Sequence, residues 1–455
     1  MRVLIANHRY VEASGAERYL FNISAELEAR GHDVMPFAMR HRHNAPTRYE
    51  RYFVSPIDAQ ERLYFSEYRD SPKALGASFS RLFYSKEVEQ AAERMARETQ
   101  PDIAYVLLYL RKLSPSLLVG LKRAGVPIVV RLSDYGMFCA QTYCLRDSKP
   151  CTACQSGALM PSVLHGCVEG SRAVSAVHAL AMSWQRARGY FDLVDQFVVT
   201  NDFMLETMQR AGFPANRLTC IPTFVDTERF APSGEPHDGH ILFCGRLHHV
   251  KGAHVLIEAL RLLNVQGRQV RLKIAGTGQD PRYVETLKRQ VAAAHLSGQV
   301  IFEGHVDPDA LPSLYRHALC TVVPALWFEN LPNALLESLA SGTPVIASDI
   351  GSLASSLTHG ADSLLFPVGD PQALAAQIAR LADDATLRAH LARGARQTAL
   401  RFHASERHLS SLLVLFDRLA RRAPASARTD AAGSGAGLRA AAATAPPMQP
   451  SAPDT

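Results

Sequence analysis

The chain has 455 residues, which is enough for two domains that each bury a hydrophobic core. Its hydrophobic content of 47% is normal for a globular protein, and its net charge of +6 is modest. No segment resembles a nucleic-acid-binding module, so we do not expect nucleic-acid binding. No run of about 18 apolar residues is free of charge, so we do not expect a membrane-spanning helix.

The first forty residues predict a β-α-β unit. The opening strand, residues 3–7, belongs to an apolar run too short for a signal peptide, so a cytoplasmic location is expected. A helix follows from Ala16 to Arg30, and His32 to Phe37 has the pattern of a second strand. Further strand-like runs, with helical stretches between them, occupy residues 103–108, 127–132 and 196–200.

A basic stretch rich in aromatic residues lies between Met39 and Phe53. A solvated surface loop is the preferred interpretation. The alternative is contact with anionic lipid at the inner face of the membrane, or with a phosphate-bearing acceptor. A peripheral membrane contact therefore stays open.

Five of the eight cysteines fall within one segment, and two of them form a C-x-x-C pair. In a cytosolic protein such clustering favours metal binding over disulfides, and four thiolates can hold a structural zinc. Free thiols or a redox pair are the alternative. The five cysteines are Cys139, Cys144, Cys151, Cys154 and Cys167.

The alternation of strands and helices begins again near residue 240. It predicts parallel sheets with helices on both faces, so the fold class is α/β with two Rossmann-like domains facing across a cleft. The linker is expected near residues 221–234. Because ligands bind beyond the carboxyl ends of parallel strands, the cleft is the expected binding site. Residues 423–455 are rich in Ala, Ser, Pro and Gly, which predicts a disordered tail.

Polar residues follow two predicted strands of the second half. Arg246 and Lys251 come directly after the strand HILFC, and two cations at a strand end suit a diphosphate. The alternative is two surface cations in a turn. In FEGHV, Gly304 permits a flat ligand such as a base to approach the backbone, with His305 beside it.

The segment WFENLPNALLESLASGTPVIAS, residues 327–348, contains a helix start. Pro332 suits a first helical turn, and Asn330 stands where a capping side chain is favoured. Good helix formers then predict a helix over 333–340, and a glycine and a proline end it before a short buried strand.

Two glutamates flank this helix start. Glu329 stands in the loop, and Glu337 lies about a turn and a half inside the helix. The open N–H groups near Leu331 form a positive pocket suited to phosphate. Acids on either side of that pocket match the two polar ends of a nucleotide sugar. The alternative is a capping acid and a solvated helix glutamate.

Together these motifs resemble glycosyltransferase family 4, the retaining enzymes of the GT-B fold, over about residues 1–420. The resemblance implies that Glu329 contacts the donor sugar and that Glu337 holds the ribose hydroxyls. It also implies that Arg246 and Lys251 bind the diphosphate.

Backbone contacts with the donor are implied as well. Asn330 and Leu331 would offer N–H groups to the sugar or the phosphate. The segment SGAERYL, residues 14–20, is similar to the glycine-rich loop of the family, with Ser14 in place of the first glycine and Gly15 as the second. Its backbone would approach the donor phosphates and the acceptor.

The acceptor side departs from the family pattern. Many members carry His-Asp where this chain has Ser133 and Asp134. Asp134 remains a candidate for orienting the acceptor or the donor, and His8 is a weaker one.

Some relatives resemble the cysteine segment too. They carry cysteines at four of its positions, which makes those four the implied zinc ligands and leaves Cys144 as a spare. Such a site would brace a loop on the acceptor side. The four are Cys139, Cys151, Cys154 and Cys167.

The implied activity is retaining transfer of a sugar from a UDP- or GDP-sugar to a glycan or lipid-linked acceptor in bacterial surface polysaccharide synthesis, without a catalytic metal. A nucleotide-sugar epimerase and a non-catalytic nucleotide-sugar-binding scaffold are the alternatives. The expected layout is a first Rossmann-like domain over 1–221 with an insertion at 139–167, a second over 222–405, a helix over 406–422 and the tail.

Overall fold

The structure is a computed structural model that describes residues 1–12, 15–57, 72–234, 236–278 and 280–422. Ser14 and the tail predicted over 423–455 lie outside the described residues. The described strands form two six-stranded parallel sheets and one short antiparallel hairpin.

The first half of the chain builds the first sheet and the hairpin. Its strands are β1 (Arg2–Ala6), β2 (Asp33–Phe37), β3 (Ile103–Val106), β4 (Ile128–Arg131), β5 (Leu145–Arg146), β6 (Lys149–Pro150), β7 (Gln196–Val199) and β8 (Leu218–Cys220). The sheet has the order β2-β1-β3-β4-β7-β8, and β5 pairs with β6 inside the cysteine-rich insertion.

Helices cross between these parallel strands, because a parallel connection cannot be a tight turn. They are α1 (Gly15–Ala29), α2 (Pro72–Phe83), α3 (Lys86–Thr99), α4 (Ser116–Arg123), α5 (Met160–Leu164), α6 (Arg172–Ala187) and α7 (Asp202–Arg210). Polar side chains fix several helix starts: Ser85, Ser171 and Asn201 each accept a hydrogen bond from an N–H of the first turn.

The second sheet repeats the pattern with the order β11-β10-β9-β12-β13-β14. The strands, introduced here in chain order, are β9 (His240–Cys244), β10 (Arg271–Ala275), β11 (Val300–Gly304), β12 (Ala318–Val323), β13 (Val345–Ser348) and β14 (Ser363–Phe366). The helices are α8 (Ala253–Val265), α9 (Pro281–Ala293), α10 (Leu311–Arg316), α11 (Asn333–Ala340), α12 (Gly351–Ser356), α13 (Pro371–Asp383), α14 (Ala385–Phe402) and α15 (Ser405–Arg422).

The last helix, α15, returns to the first sheet. The Phe416 ring packs against Tyr105 of β3 with centroids 5.3 Å apart. The Nδ1–H of His408 donates to the carbonyl of Pro222 in the linker (2.7 Å), and its Nε2 accepts from the Tyr19 hydroxyl (2.9 Å). Burial lowers the pKa of His408 to about 4, so the ring is neutral and can both donate and accept. The helix thereby ties the linker to the first domain.

The predicted α/β architecture of two parallel-sheet domains is confirmed. Within the described part of the chain, no helix is both long and apolar enough to cross a membrane.

Candidate functional site

A cavity of about 310 Å³ lies where the carboxyl edges of the two sheets meet. The segments that follow β1, β3 and β4 form its first-domain walls, and those that follow β9 and β12 form its second-domain walls. Four residues predicted from the sequence, His8, Asp134, Arg246 and Asn330, line it together with Arg111. The cavity therefore stands at the edge where parallel sheets bind ligands.

The position of Lys251 depends on a close approach between the segments that follow β9 and β12. It closes a short 3₁₀ turn, His249–Lys251, and Gly252 follows with a φ of 75°. A Cβ on Gly252 would lie 1.8 Å from the carbonyl oxygen of Pro324, so a side chain would clash with the backbone that follows β12. Lys251 thus lies beside the loop that carries the first glutamate.

Glu329 is buried and paired with a cation. Its side chain is 5% exposed, and its carboxylate lies 2.6 Å from the Nζ of Lys251. The indole N–H of Trp327 donates to the same carboxylate at 2.7 Å. A carboxylate taken out of water is costly unless it is paired and hydrogen-bonded, and both conditions are met here. The result is a fixed acid and cation at the cleft edge, which together can bind hydroxyl and phosphate oxygens.

The helix mouth differs from the sequence prediction in one respect. Helix α11 spans Asn333–Ala340 as predicted, with Pro332 at the N-cap position and no side-chain cap. Asn330 does not cap the helix, because its amide Nδ2 donates to the carbonyl of Leu132 in the first domain at 3.0 Å. Between them, Leu331 has a φ of 54°, a left-handed conformation that is strained for leucine.

Glu337 faces a second cavity on the other side of α11, next to α1 and the linker. Its carboxylate accepts from the Tyr315 hydroxyl at 2.8 Å and lies 3.2 Å from the Arg18 guanidinium of the first domain. Burial raises the pKa of Glu337, and Arg18 and Tyr315 oppose that rise. The two predicted carboxylates are therefore held by different cations, one from each domain.

The structure brings Gly15 to the cleft and leaves Gly304 and His305 at its margin. Helix α1 begins at Gly15, and a Cβ there would lie 3.6 Å from the amide of Asn333. Gly304 has a φ of 70°, so glycine is favoured by conformation, with open space where a Cβ would stand. His305 is exposed. Neither Gly304 nor His305 lines the two described cavities.

Asp134 is the acid on the first-domain side. It accepts a hydrogen bond from the Gly136 N–H at 2.8 Å. Burial raises the pKa of Asp134, while that hydrogen bond and the Arg111 guanidinium oppose the rise. Ser133, where the family pattern predicts histidine, accepts a hydrogen bond from Arg131 at 2.8 Å. Burial lowers the pKa of His8 well below its ordinary value, so its ring is neutral.

Sequence reasoning missed three side chains of the site. Arg18 lies within the segment 14–20 that resembles the glycine-rich loop, and a cation in the first turn of a helix is electrostatically unfavourable, a signal that could have been noticed. Trp327 stands two residues before Glu329 and is one of two tryptophans in the chain. Tyr143 comes from the insertion and packs its ring 5.2 Å from that of Trp327. No local pattern in the sequence indicates that last contact.

None of the eight cysteines forms a disulfide. Cys144, the predicted spare, hydrogen-bonds to Cys139 and thereby lowers the pKa of Cys139 to about 6. Among the described residues, no group of three or more His, Cys, Asp or Glu side chains is arranged to hold a metal ion. The zinc at Cys139, Cys151, Cys154 and Cys167 stays a prediction, which elemental analysis of the purified protein can test.

The aromatic residues of the basic stretch 39–53 face inward. Tyr49, Tyr52 and Phe53 are buried in the first domain. The charged residues around them remain on the surface, so this stretch offers basic side chains but not aromatic ones to a lipid or an acceptor.

Two family models match the chain. The model for a glycosyl transferase 4-like domain matches residues 14–223, and the model for glycosyl transferases group 1 matches residues 225–398. Together they cover most of the chain, and their boundary falls within the predicted linker.

Curated relatives are similar over part of their length. A D-inositol 3-phosphate glycosyltransferase of Acidothermus cellulolyticus is 36% identical over 231 residues, 47% of this chain and 51% of that protein. A putative colanic acid biosynthesis glycosyltransferase, WcaL of Salmonella typhimurium, is 27% identical over 55% of this chain and 63% of its own. The chain spans about half the length of the curated relatives it matches.

Solved structures share the fold. A sucrose-phosphate synthase of Thermosynechococcus elongatus superposes with a TM-score of 0.68 and 20% identity, covering 92% of this chain and 98% of that one. Anabaena HepE in complex with UDP superposes with a TM-score of 0.62 and 18% identity, covering 92% and 100%.

Proposed function

The chain belongs to the group 1 glycosyltransferases of the family 4 type, and from that premise we propose that it transfers a sugar from a UDP- or GDP-sugar to a glycan or lipid-linked acceptor with retention of configuration. The observation that carries the proposal is the buried Glu329 carboxylate, paired with Lys251 and hydrogen-bonded by Trp327, which lines the same cavity as Arg246.

The donor would lie along the second-domain edge. Arg246 and Lys251 neutralise the charge that grows on the departing diphosphate, and the uncapped N–H groups of the helix mouth hold its oxygens. Glu329 accepts hydrogen bonds from sugar hydroxyls, and Glu337 accepts them from the ribose. Because Glu329 and Lys251 already touch, a sugar diphosphate placed there contacts both at once.

Transfer with retention needs no protein nucleophile in this arrangement. The bond between the anomeric carbon and the diphosphate oxygen breaks, and its electron pair leaves on the diphosphate. On the same face of the sugar, the acceptor oxygen forms the new glycosidic bond and gives its proton to the leaving phosphate. Asp134 orients the acceptor hydroxyl from the first-domain side. Closure of the two domains excludes water and so limits hydrolysis of the donor.

The related proteins support the donor and acceptor classes. HepE was solved with UDP, which favours a nucleotide as the ligand of this fold. WcaL is named a putative colanic acid biosynthesis glycosyltransferase, and this favours a biosynthetic transfer to a glycan or lipid-linked acceptor. A peripheral membrane contact belongs to the same proposal, with the exposed basic residues of 39–53 as its candidate surface.

The proposal is tested by thermal unfolding with a panel of UDP, GDP and their common sugar conjugates. A ligand that binds the folded state raises the melting temperature by mass action, equivalent to about 2.7 kcal/mol at a concentration 100 times its dissociation constant. We expect one nucleotide class to stabilise the wild type and Glu337→Ala to lose the response. Glu285→Ala, an exposed acid on α9, is the matched control and should keep it.

Two outcomes would contradict the proposal. If no nucleotide shifts the wild type, a non-catalytic scaffold becomes the better interpretation. If Glu337→Ala responds as the wild type does, the ribose assignment is wrong.

A further inference from the structure

The loop that carries Glu329 is held in place from the first domain. This loop, residues 327–331, is called the donor loop here. Its strained residue, Leu331, and its buried acid both need support from outside the loop, since neither conformation is favoured locally. Lys251 and Trp327 hold the Glu329 carboxylate from the second-domain side, and a further set of contacts comes from across the cleft.

Asn330 is the centre of these contacts. Its Nδ2 donates to the carbonyl of Leu132 at 3.0 Å, just after β4. Its Oδ1 accepts from the Asn201 amide at 3.1 Å and from the Thr200 hydroxyl. Every polar atom of the Asn330 side chain is therefore used by the first domain.

Thr200 and Asn201 form a rigid platform for this side chain. They follow β7 directly, and they are 0% and 4% exposed. Asn201 caps α7 by accepting from the Met204 N–H at 2.8 Å, and it donates to the Thr200 hydroxyl at 3.0 Å. Both hydrogens of the Asn201 amide, its oxygen and the Thr200 hydroxyl each have a defined partner, so the orientation of both side chains is fixed.

A second contact supports the same loop. The Tyr135 hydroxyl donates to the carbonyl of Glu329 at 3.3 Å. The Ser352 hydroxyl, from the second domain, donates to that carbonyl at 2.6 Å. The backbone of the acid that would bind the sugar is thus shared between the two domains.

We propose that Thr200 and Asn201 are positioning residues for the donor sugar, acting through Asn330. They set the donor loop only while the two domains are together, so the sugar-binding half of the donor site is completed by domain closure. The nucleotide half, formed by Arg246, Lys251 and Glu337, does not depend on them. The inference rests on the proposed function, because it takes Glu329 as the sugar-binding acid.

Two substitutions separate positioning from folding. Thr200→Val removes the hydroxyl and keeps the shape. Asn201→Asp keeps the oxygen that caps α7 and turns the donor that faces Asn330 into an acceptor. Thr207→Val is the matched control, because Thr207 lies in α7, the helix that Asn201 caps, is 3% exposed, and has a hydroxyl without a hydrogen-bond partner among the described residues.

The first measurement is hydrogen exchange of the ligand-free protein, read on peptides that cover residues 327–340. We expect exchange there to speed up at least about fivefold in Thr200→Val and in Asn201→Asp, because buried hydrogen bonds of the donor loop are lost. Thr207→Val should exchange as the wild type does. Unchanged exchange in both variants would overturn the proposal without touching the proposed function.

The second measurement compares the affinity for UDP or GDP with that for the nucleotide sugar that stabilises the wild type most. In both variants the nucleotide-sugar affinity should fall at least about tenfold more than the affinity for the bare diphosphate. If the affinities for the nucleotide sugar and for the bare diphosphate fell equally and the melting temperature also fell, the role of Thr200 and Asn201 would be merely structural, and the proposal would be overturned. If the wild type binds neither class, the proposed function fails and the positioning role fails with it, while the exchange result still reports on the contact itself.

Discussion

The two edges of the cleft are built in different ways. On the second-domain edge, Glu329 and Glu337 come from one continuous segment, and Arg246 and Lys251 from one turn. On the first-domain edge, the cavity walls come from three strand ends that are far apart in sequence, and from an insertion. The second-domain edge can therefore be recognised in the sequence as a motif, whereas the residues of the first-domain edge come together only when the sheet forms.

This difference has a consequence for chemistry. A contiguous motif keeps the nucleotide-binding geometry constant, because the strand, turn and helix that carry it are local. Dispersed walls can change one at a time, because each comes from a different segment of the chain. Donor binding and acceptor binding should then respond to different substitutions. Three variants test whether the two functions are separate.

The largest expected effect is that of Glu329→Gln. The amide can still accept from Trp327 but loses the charge that pairs with Lys251. Transfer, followed as release of nucleoside diphosphate from the stabilising donor, should fall about a thousandfold, since an interaction with the reacting sugar is lost. The melting temperature should change little.

The comparison of Glu329→Gln with Glu285→Gln on the exposed face of α9 controls for charge removal in the same domain. Turnover within a factor of two of the wild type would show that the second-domain acid is not part of the reaction, and the division between the two edges would then have no chemical meaning.

The next effect is that of Lys251→Ala on nucleotide binding. The side chain of Lys251 is 21% exposed and pairs with a nearly buried carboxylate, so its removal takes away both a phosphate contact and the partner of Glu329. Affinity for UDP or GDP, measured by calorimetry, should fall about 30- to 100-fold. Lys288→Ala, an exposed cation on α9, should leave the affinity unchanged. Equal affinities for UDP or GDP in the two variants would show that Lys251 does not bind the donor.

The sequence predicted the second edge better than the first, for a physical reason. The helix over Asn333–Ala340, its flanking glutamates and the strand-end cations follow from turn chemistry and local periodicity. The prediction that Asn330 caps the helix was wrong, because a capping position is a local preference and the contact with Leu132 spans 198 residues of sequence. For the same reason no pattern pointed to Arg18 as the partner of Glu337, which is 319 residues away.

The smallest expected effect belongs to the first edge, in Asp134→Asn. Transfer should fall about tenfold through loss of a charged hydrogen bond to the acceptor, while the affinity for UDP or GDP stays at the wild-type value. Because burial raises the pKa of Asp134, the wild-type rate should decline as the pH falls through that raised pKa, and the variant should lack this step.

The raised pKa of Asp134 also makes the stability of the fold depend on pH. A carboxyl whose folded pKa is raised favours folding below its unfolded pKa and loses that contribution as the pH rises to the folded value. Asp134→Asn should therefore be relatively more stable than the wild type above that window.

The affinity measurement tests the separation of the two edges. If Asp134→Asn lowered the affinity for UDP or GDP, Asp134 would belong to the donor site, and the two edges could no longer be treated as separate functional units.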